Sequence, residues 1–214
     1  MRERWLGALV GMASVAITYL MARLTAGWVI AALFLAAAGW LVGGYIRRIA
    51  RLAERDGLTG LANRRVFERT LVREWDRSMR YDRPLSLLFI DVDDFGQVNK
   101  RFGHMMGDEA LKVITRMIRH NTRKLDLVAR WGGEEFVVLL PETDVESAMV
   151  LAERIRSVIA QHVIREREHA VQVTISMGVS GVPGSARNPR DLLRRAIAAE
   201  GAAKTHKNTV RCVS

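Results

Sequence analysis

Two long runs of uncharged residues open the chain. Trp5 to Ala22 gives 18 residues without a charge, Arg23 interrupts, and Leu24 to Ile46 adds 23 more. As helices, at about 1.5 Å per residue, these runs reach roughly 27 and 34 Å, near the thickness of a bilayer's hydrocarbon core. Both are apolar on every side, which sets them apart from a core helix with one polar face. A second long run follows the first at once, which sets the first apart from a cleaved signal peptide. Trp5, Tyr19, Trp28, Trp40 and Tyr45 stand toward the ends of the runs, where amphipathic rings favour the membrane–water interface. The expectation is a transmembrane hairpin with spans at 5–22 and 24–46. Arg2 and Arg4 precede it, Arg47, Arg48, Arg51 and Arg55 follow it, and only Arg23 lies between, so the positive-inside bias places both termini in the cytoplasm. The connection is too short for an extracytoplasmic domain. A juxtamembrane linker, 47–55, leads onward and is too short for a long coiled coil.

The rest of the chain has the length of one soluble domain. Apolar residues make up 49% and charged residues 26% of the sequence, which excludes a mostly disordered chain. The single cysteine, Cys212, excludes a disulfide framework and a multi-cysteine zinc site. The net charge of +10 points to anionic partners: nucleic acid, nucleotides or a lipid surface.

Periodicity gives alternating helices and strands. Helical spacing covers 64–80, with Phe67, Leu71 and Met79 on the apolar stripe, then 103–120, 145–162 and 189–204. Apolar runs over 85–92 and 171–179 read as strands, 210–213 as a short edge strand, and 127–140 as two strands around Gly132-Gly133. Such alternation predicts an α/β domain with helices packed on a sheet.

Three polar clusters carry the candidate chemistry. The strand 85–92 runs into Asp91-Val92-Asp93-Asp94. The hairpin Gly132-Gly133-Glu134-Glu135 pairs backbone that a ligand can approach with adjacent carboxylates. If Asp91 and Glu134 converge, they make a hard-oxygen site suited to Mg²⁺ and a nucleotide's phosphates; the plain alternative is a tight hairpin with exposed acids. Asn99 lies in the turn feeding the helix that holds His104 and Asp108, which share a face four residues apart. An amide and a carboxylate together suit a guanine edge; the plain alternative is an ordinary polar helix entry.

Taken together, these blocks resemble the GGDEF family of diguanylate cyclases. The resemblance runs from about Leu52 to Arg211. It rests on Asp56-Gly-Leu-Thr-Gly-Leu-Ala-Asn-Arg-Arg65, Asp91-Val-Asp-Asp-Phe-Gly-Gln-Val-Asn99, Gly103-His-Met-Met-Gly-Asp108 and Arg130-Trp-Gly-Gly-Glu-Glu-Phe136. It implies a GGDEF domain over 56–214, of the GGEEF variant, with a central sheet flanked by helices. The implied reaction condenses two GTP into cyclic di-GMP and two pyrophosphates across a homodimer. Asp91, the Val92 carbonyl and Glu134 would hold Mg²⁺, with Mn²⁺ as a substitute, and Glu134 would also be the general base. Asn99, His104 and Asp108 would bind guanine, and Lys204 and Lys207 the phosphates. Arg123-Lys-Leu-Asp126 stands where the family has its R-x-x-D product-inhibition site; a surface ion pair is the alternative, and Arg154 would add a second contact from a neighbouring domain. The implied setting is the bacterial inner membrane, with the lipid bilayer as a partner and no nucleic acid.

The chain also departs from the family pattern. Gly96 replaces a frequent lysine and Lys100 a usual aspartate. Glu200-Gly201 replaces Leu-Tyr ahead of Lys204, one residue is missing after Lys204, and Lys207 is the nearest counterpart of a later arginine. The second reading is therefore a weakly catalytic receptor for GTP or cyclic di-GMP that signals by contact. Separately, Arg65, Arg69, Arg73 and Arg77 recur every four residues, as a headgroup-facing stripe or a solvated face supported by an Asp76–Arg80 pair.

Overall fold

The computed structural model describes residues 12, 14–15, 17–18, 27–29, 31–45, 54–184 and 186–212. The chain divides into two units, Met1–Ala53 and Glu54–Ser214.

In the first unit, α1 (Gly27–Tyr45) is 19 residues long with mean hydropathy 1.8 and none of its span buried. At about 1.5 Å per residue it reaches about 28 Å. Among the described residues it is the one helix long and apolar enough to cross a membrane. Most of the expected first span, 5–22, and most of the linker, 47–55, lie outside the described residues.

The second unit runs β1 (Ala62–Asn63), α2 (Arg64–Tyr81), β2 (Leu85–Val92), α3 (Phe95–Phe102), α4 (His104–Asn121), β3 (Leu127–Arg130), β4 (Glu135–Pro141), α5 (Val145–Gln161), β5 (Ile164–Glu166), β6 (His169–Val171), β7 (Ile175–Val182), α6 (Pro189–Lys204) and β8 (Val210–Cys212). Six strands form one mixed sheet in the order β1-β3-β4-β2-β7-β8, while β5 and β6 form a separate hairpin. β2 lies in the middle, antiparallel to both β4 and β7.

Alternation along β2 sorts its side chains. Leu85, Leu87 and Phe89 face a core made with Phe67, Leu71 and Trp75 of α2 and Leu192 and Ala196 of α6. Leu88, Ile90 and Val92 face the other core, with Ile114 and Ile118 of α4 and Ala152 and Ile155 of α5. Burial on both faces explains the nearly unbroken apolar run of β2. The same alternation puts Asp91, at the end of the strand, on the α2/α6 face.

Several expectations are corrected here. Residues 95–102 form a helix, so Asn99 is inside α3 and not in a turn. The strand expected over 171–179 is β6 and β7 with a break between them, where Thr174 gives its carbonyl to the Asp93 N–H at 2.9 Å and its hydroxyl to the Asp93 carboxylate at 2.7 Å. On α2, Met79 is 52% exposed and Trp75 takes the core position; the 71–75 step keeps to one face of the helix. Arg69, Arg73 and Arg77 pair with Glu54, Glu74 and Glu142, whereas an Asp76–Arg80 pair is absent among the described residues. The arginine periodicity thus serves a largely neutralised face.

Candidate active site

Asp91 is the last residue but one of β2, and register places Glu135 of β4 on one side of it and Ser176 of β7 on the other. Glu134 immediately precedes β4, and its carbonyl accepts the Val92 N–H at 3.3 Å. The expected meeting of the two sequence blocks therefore occurs, with Glu135 as well as Glu134 beside Asp91. Burial pushes the Asp91 carboxyl above its ordinary range, Lys204 works against this, and the Glu134 and Asp93 charges add to the rise. Glu135 is raised by burial first and then by Asp91 and Glu134. Glu135, absent from the expected site residues, owes its place directly across from Asp91 to the pairing of β2 with β4.

The run Asp91-Val-Asp-Asp divides by role. Asp93 is buried and accepts from Thr174 Oγ1 at 2.7 Å, Ser176 Oγ at 2.8 Å and the Asn208 N–H at 2.8 Å. It ties β7 and the approach to β8 to the end of β2. Asp94 caps α3 from a left-handed conformation, φ 54°, and binds Lys207 Nζ at 2.7 and 2.8 Å. Lys207, expected at the phosphates, is engaged there. Asp91 is the third, and its partner comes from α6.

Lys204 comes from the last turn of α6. Its ammonium donates to Asp91 Oδ1 and lies 3.4 Å from the Val92 carbonyl oxygen. Burial works against this charge, but Asp91, Asp93 and Glu200 outweigh it and hold the Lys204 pKa above its usual value. A positive charge thus already rests on the carboxylate and carbonyl that the family resemblance assigns to Mg²⁺. Among the described residues no three His, Cys, Asp or Glu side chains form a ready cation cage. The oxygens of Asp91, Glu134 and the Val92 carbonyl are hard donors of the kind Mg²⁺ takes.

The glycine pair between β3 and β4 is held from below. Arg130 Nε and Nη2 donate to the Gly133 carbonyl at 3.0 and 2.6 Å, Nε also to Gly132 at 3.2 Å, and Nη1 reaches Asp56. Arg64 lies over the Trp131 ring at 4.0 Å.

At the end where guanine was expected, α3 and α4 meet at Gly103, φ 84°. Asn99 Oδ1 is buried without a hydrogen-bond partner. A Cβ at Gly107 would strike this oxygen, so the glycine makes room for Asn99 against α4. His104 and Asp108 lie exposed on the first turns of α4, next to Gly107. The three expected guanine contacts therefore gather at one helix junction. Gly107 joins them as a residue that spacing alone did not single out.

Arg123, Asp126 and Arg154 line one cleft of about 300 Å³ with Asn121, Ser147 and Val150. Asp126 accepts the Arg123 N–H at 2.7 Å, and Arg154 Nη2 donates to the Asn121 carbonyl at 3.0 Å. Arg123 and Asp126 do not form the side-chain ion pair considered from the sequence; the aspartate folds the turn and leaves the guanidinium free of it. Arg154 belongs to the same cleft of the same domain, which corrects the expectation of a contact from a neighbouring one.

The family profile "Diguanylate cyclase, GGDEF domain" matches residues 53–209. The response regulator PleD of Caulobacter vibrioides is 41% identical over 147 residues, 68% of this chain and 32% of PleD. The chain thus spans about a third of the length of that relative. The GGDEF domain of YfiN (TpbB) from Pseudomonas aeruginosa superposes with a TM-score of 0.72 at 36% identity, covering 75% of this chain and 94% of that one. The GGDEF domain of DgcB from Caulobacter crescentus, solved in complex with c-di-GMP, gives 0.71 at 27% identity, covering 74% and 92%. By its profile match and by its sheet order, with Asp91 and the glycine hairpin side by side, the chain belongs to the GGDEF family.

Proposed function

We propose that this chain is a membrane-anchored diguanylate cyclase of the GGEEF variant, which condenses two GTP into cyclic di-GMP and two pyrophosphates. The observation that carries this reading is that Asp91, with the Lys204 ammonium on it, stands beside the end of the glycine hairpin that carries Glu134 and Glu135, with Asn99 and Asp108 at a separate junction on the elements that follow β2. One end suits a triphosphate and the other a purine.

Asp91, the Val92 carbonyl and Glu134 would hold Mg²⁺ or Mn²⁺. When bound, that ion neutralises phosphate charge and lowers the pKa of the attacking hydroxyl. Asn99 and Asp108 orient guanine, the amide through its carbonyl or N–H₂ and the carboxylate by accepting from the ring N–H groups. Lys204 carries positive charge to the phosphates. Glu134 takes the proton from the 3′-OH of one GTP as that oxygen bonds to the α-phosphorus of the other, and the bond to the leaving pyrophosphate breaks. The attack requires two nucleotides face to face, hence a homodimer with one GTP on each subunit. Arg123, Asp126 and Arg154 form a product-binding cleft for feedback inhibition, in keeping with an R-x-x-D turn whose arginine fork suits phosphate and guanine edges.

α1 is the membrane segment of this reading, and a partner span at 5–22 would complete a hairpin with both termini cytoplasmic in a bacterial inner membrane. The test is direct. The full chain in detergent micelles is incubated with GTP and Mg²⁺ and the products are separated by chromatography. Cyclic di-GMP should form, and Asp91→Asn or Glu134→Ala should lower its rate at least about a hundredfold (about 2.7 kcal/mol). Full turnover by Glu134→Ala would reject the assignment.

A second reading, the weak receptor, draws on Lys207 being bound to Asp94 and on Glu200 standing beside Asp91. No cyclic di-GMP formation, together with tight binding of it, would select that reading.

A further inference from the structure

Glu200 belongs to none of the roles above. It is 8% exposed, and its Oε1 is buried without a hydrogen-bond partner. Burying a carboxylate oxygen unpaired is costly. Its place is imposed by packing: a Cβ at Gly178 of β7 would collide with the Ala196 carbonyl and the Glu200 N–H, so the α6 backbone lies directly on the sheet at this turn. Glu200 lies within electrostatic reach of Asp91, Asp93, Glu135 and Lys204, the last one turn further along the same helix. Glu followed by Lys at i,i+4 is the favourable order for a helical pair.

Lys204 donates to Asp91 Oδ1 and lies against the Val92 carbonyl, the two groups that a divalent cation needs. Two positive charges do not share that seat. We propose that Glu200 is a positioning residue that receives the Lys204 ammonium when a divalent cation takes Asp91, so that Lys204 switches between a seat on β2 and a seat on α6. The inference rests on the cation reading of Asp91 and Glu134 given above. The exchange breaks one lysine–carboxylate bond and makes another, and it fills the orphaned acceptor.

The test is Mn²⁺ affinity of the full chain without nucleotide, followed by water-proton relaxation, in a cycle of Glu200→Gln, Lys204→Met and the double variant. Glu200→Gln should weaken Mn²⁺ binding about tenfold (about 1.4 kcal/mol). Lys204→Met should strengthen it, and in the Lys204→Met background Glu200→Gln should change little. Glu200→Met, checked for folding by circular dichroism, should repeat the loss. An unchanged affinity in Glu200→Gln, or an equal loss with and without Lys204, would overturn the proposal, the second outcome assigning Glu200 to the cation directly. Asp91→Asn separates the two levels: if it binds Mn²⁺ as the unaltered chain does, the cation reading itself fails and the switch with it.

Discussion

Arg130 and Asp56, far apart in the chain, are joined by two hydrogen bonds, Nη1 to Oδ1 at 3.0 Å and to Oδ2 at 3.2 Å, while the same guanidinium holds the carbonyls of the glycine hairpin. Asp56 also accepts from the Thr59 N–H and hydroxyl at 2.8 and 2.7 Å. The turn that opens the domain and the loop that carries Glu134 are thus braced by one side chain. The pair is mostly buried, with 16% and 23% of its side chains exposed, so solvent screens it less than a surface pair.

Arg130→Ala should therefore release the hairpin and lower both stability, by about 2 kcal/mol, and turnover. Burial pushes the Asp56 carboxyl up, but Thr59 and Arg130 more than reverse this and leave it below its ordinary value of 3.8. A depressed acid stabilises the fold above its unfolded pKa, and that contribution is lost as pH falls through the folded value. Asp56→Asn should thus be destabilising at pH 7 and nearly neutral in acid below its folded pKa. Thermal melts across pH would check this.

Glu200 gives the opposite sign. Burial, then the Asp91 charge, pushes its carboxyl up to about 7. Without metal, ionising it in the folded state costs stability, a cost absent below its unfolded pKa, growing as pH rises toward 7 and constant above. In chelator, Glu200→Gln should melt higher than the unaltered chain at pH 8 and close to it at pH 4. Equal melting differences at both pH values would contradict the assignment.

Gly107→Ala places a methyl against Asn99 Oδ1. In an exposed helix this change favours folding by about 1 kcal/mol; here it should displace the amide instead. The expected result is a KM for GTP raised about tenfold with kcat little changed, as for loss of binding made equally in ground and transition states. Steady-state kinetics would read it.

Arg123→Ala should reduce cyclic di-GMP affinity at the α4–β3 turn at least about thirtyfold, in line with losing charge-assisted bonds worth about 2 kcal/mol. Arg154→Ala should cost less, because its guanidinium is partly engaged by the Asn121 carbonyl. Calorimetric titration of cyclic di-GMP would rank the two.

Much of this site was legible in the residue order. β2 and α6 were read with their observed limits, and the 127–140 stretch as two strands around the glycine pair, because alternation, helical period and turn glycines are local properties. The grouping of Asn99, His104 and Asp108 was also readable, since α3 and α4 adjoin in the chain. The roles within Asp91-Val-Asp-Asp were not. Three similar carboxylates became the partner of Lys204, a buried anchor and the partner of Lys207 only through groups on β7, α6 and the β8 approach. Likewise Trp75 displaced Met79 from the core, and Lys207 went to Asp94. Local chemistry thus dictates which elements form and which side chains are capable of the reaction. Which carboxylate meets which cation depends on strand register and on how closely α6 settles over Gly178, and those are set by packing between segments distant in the chain.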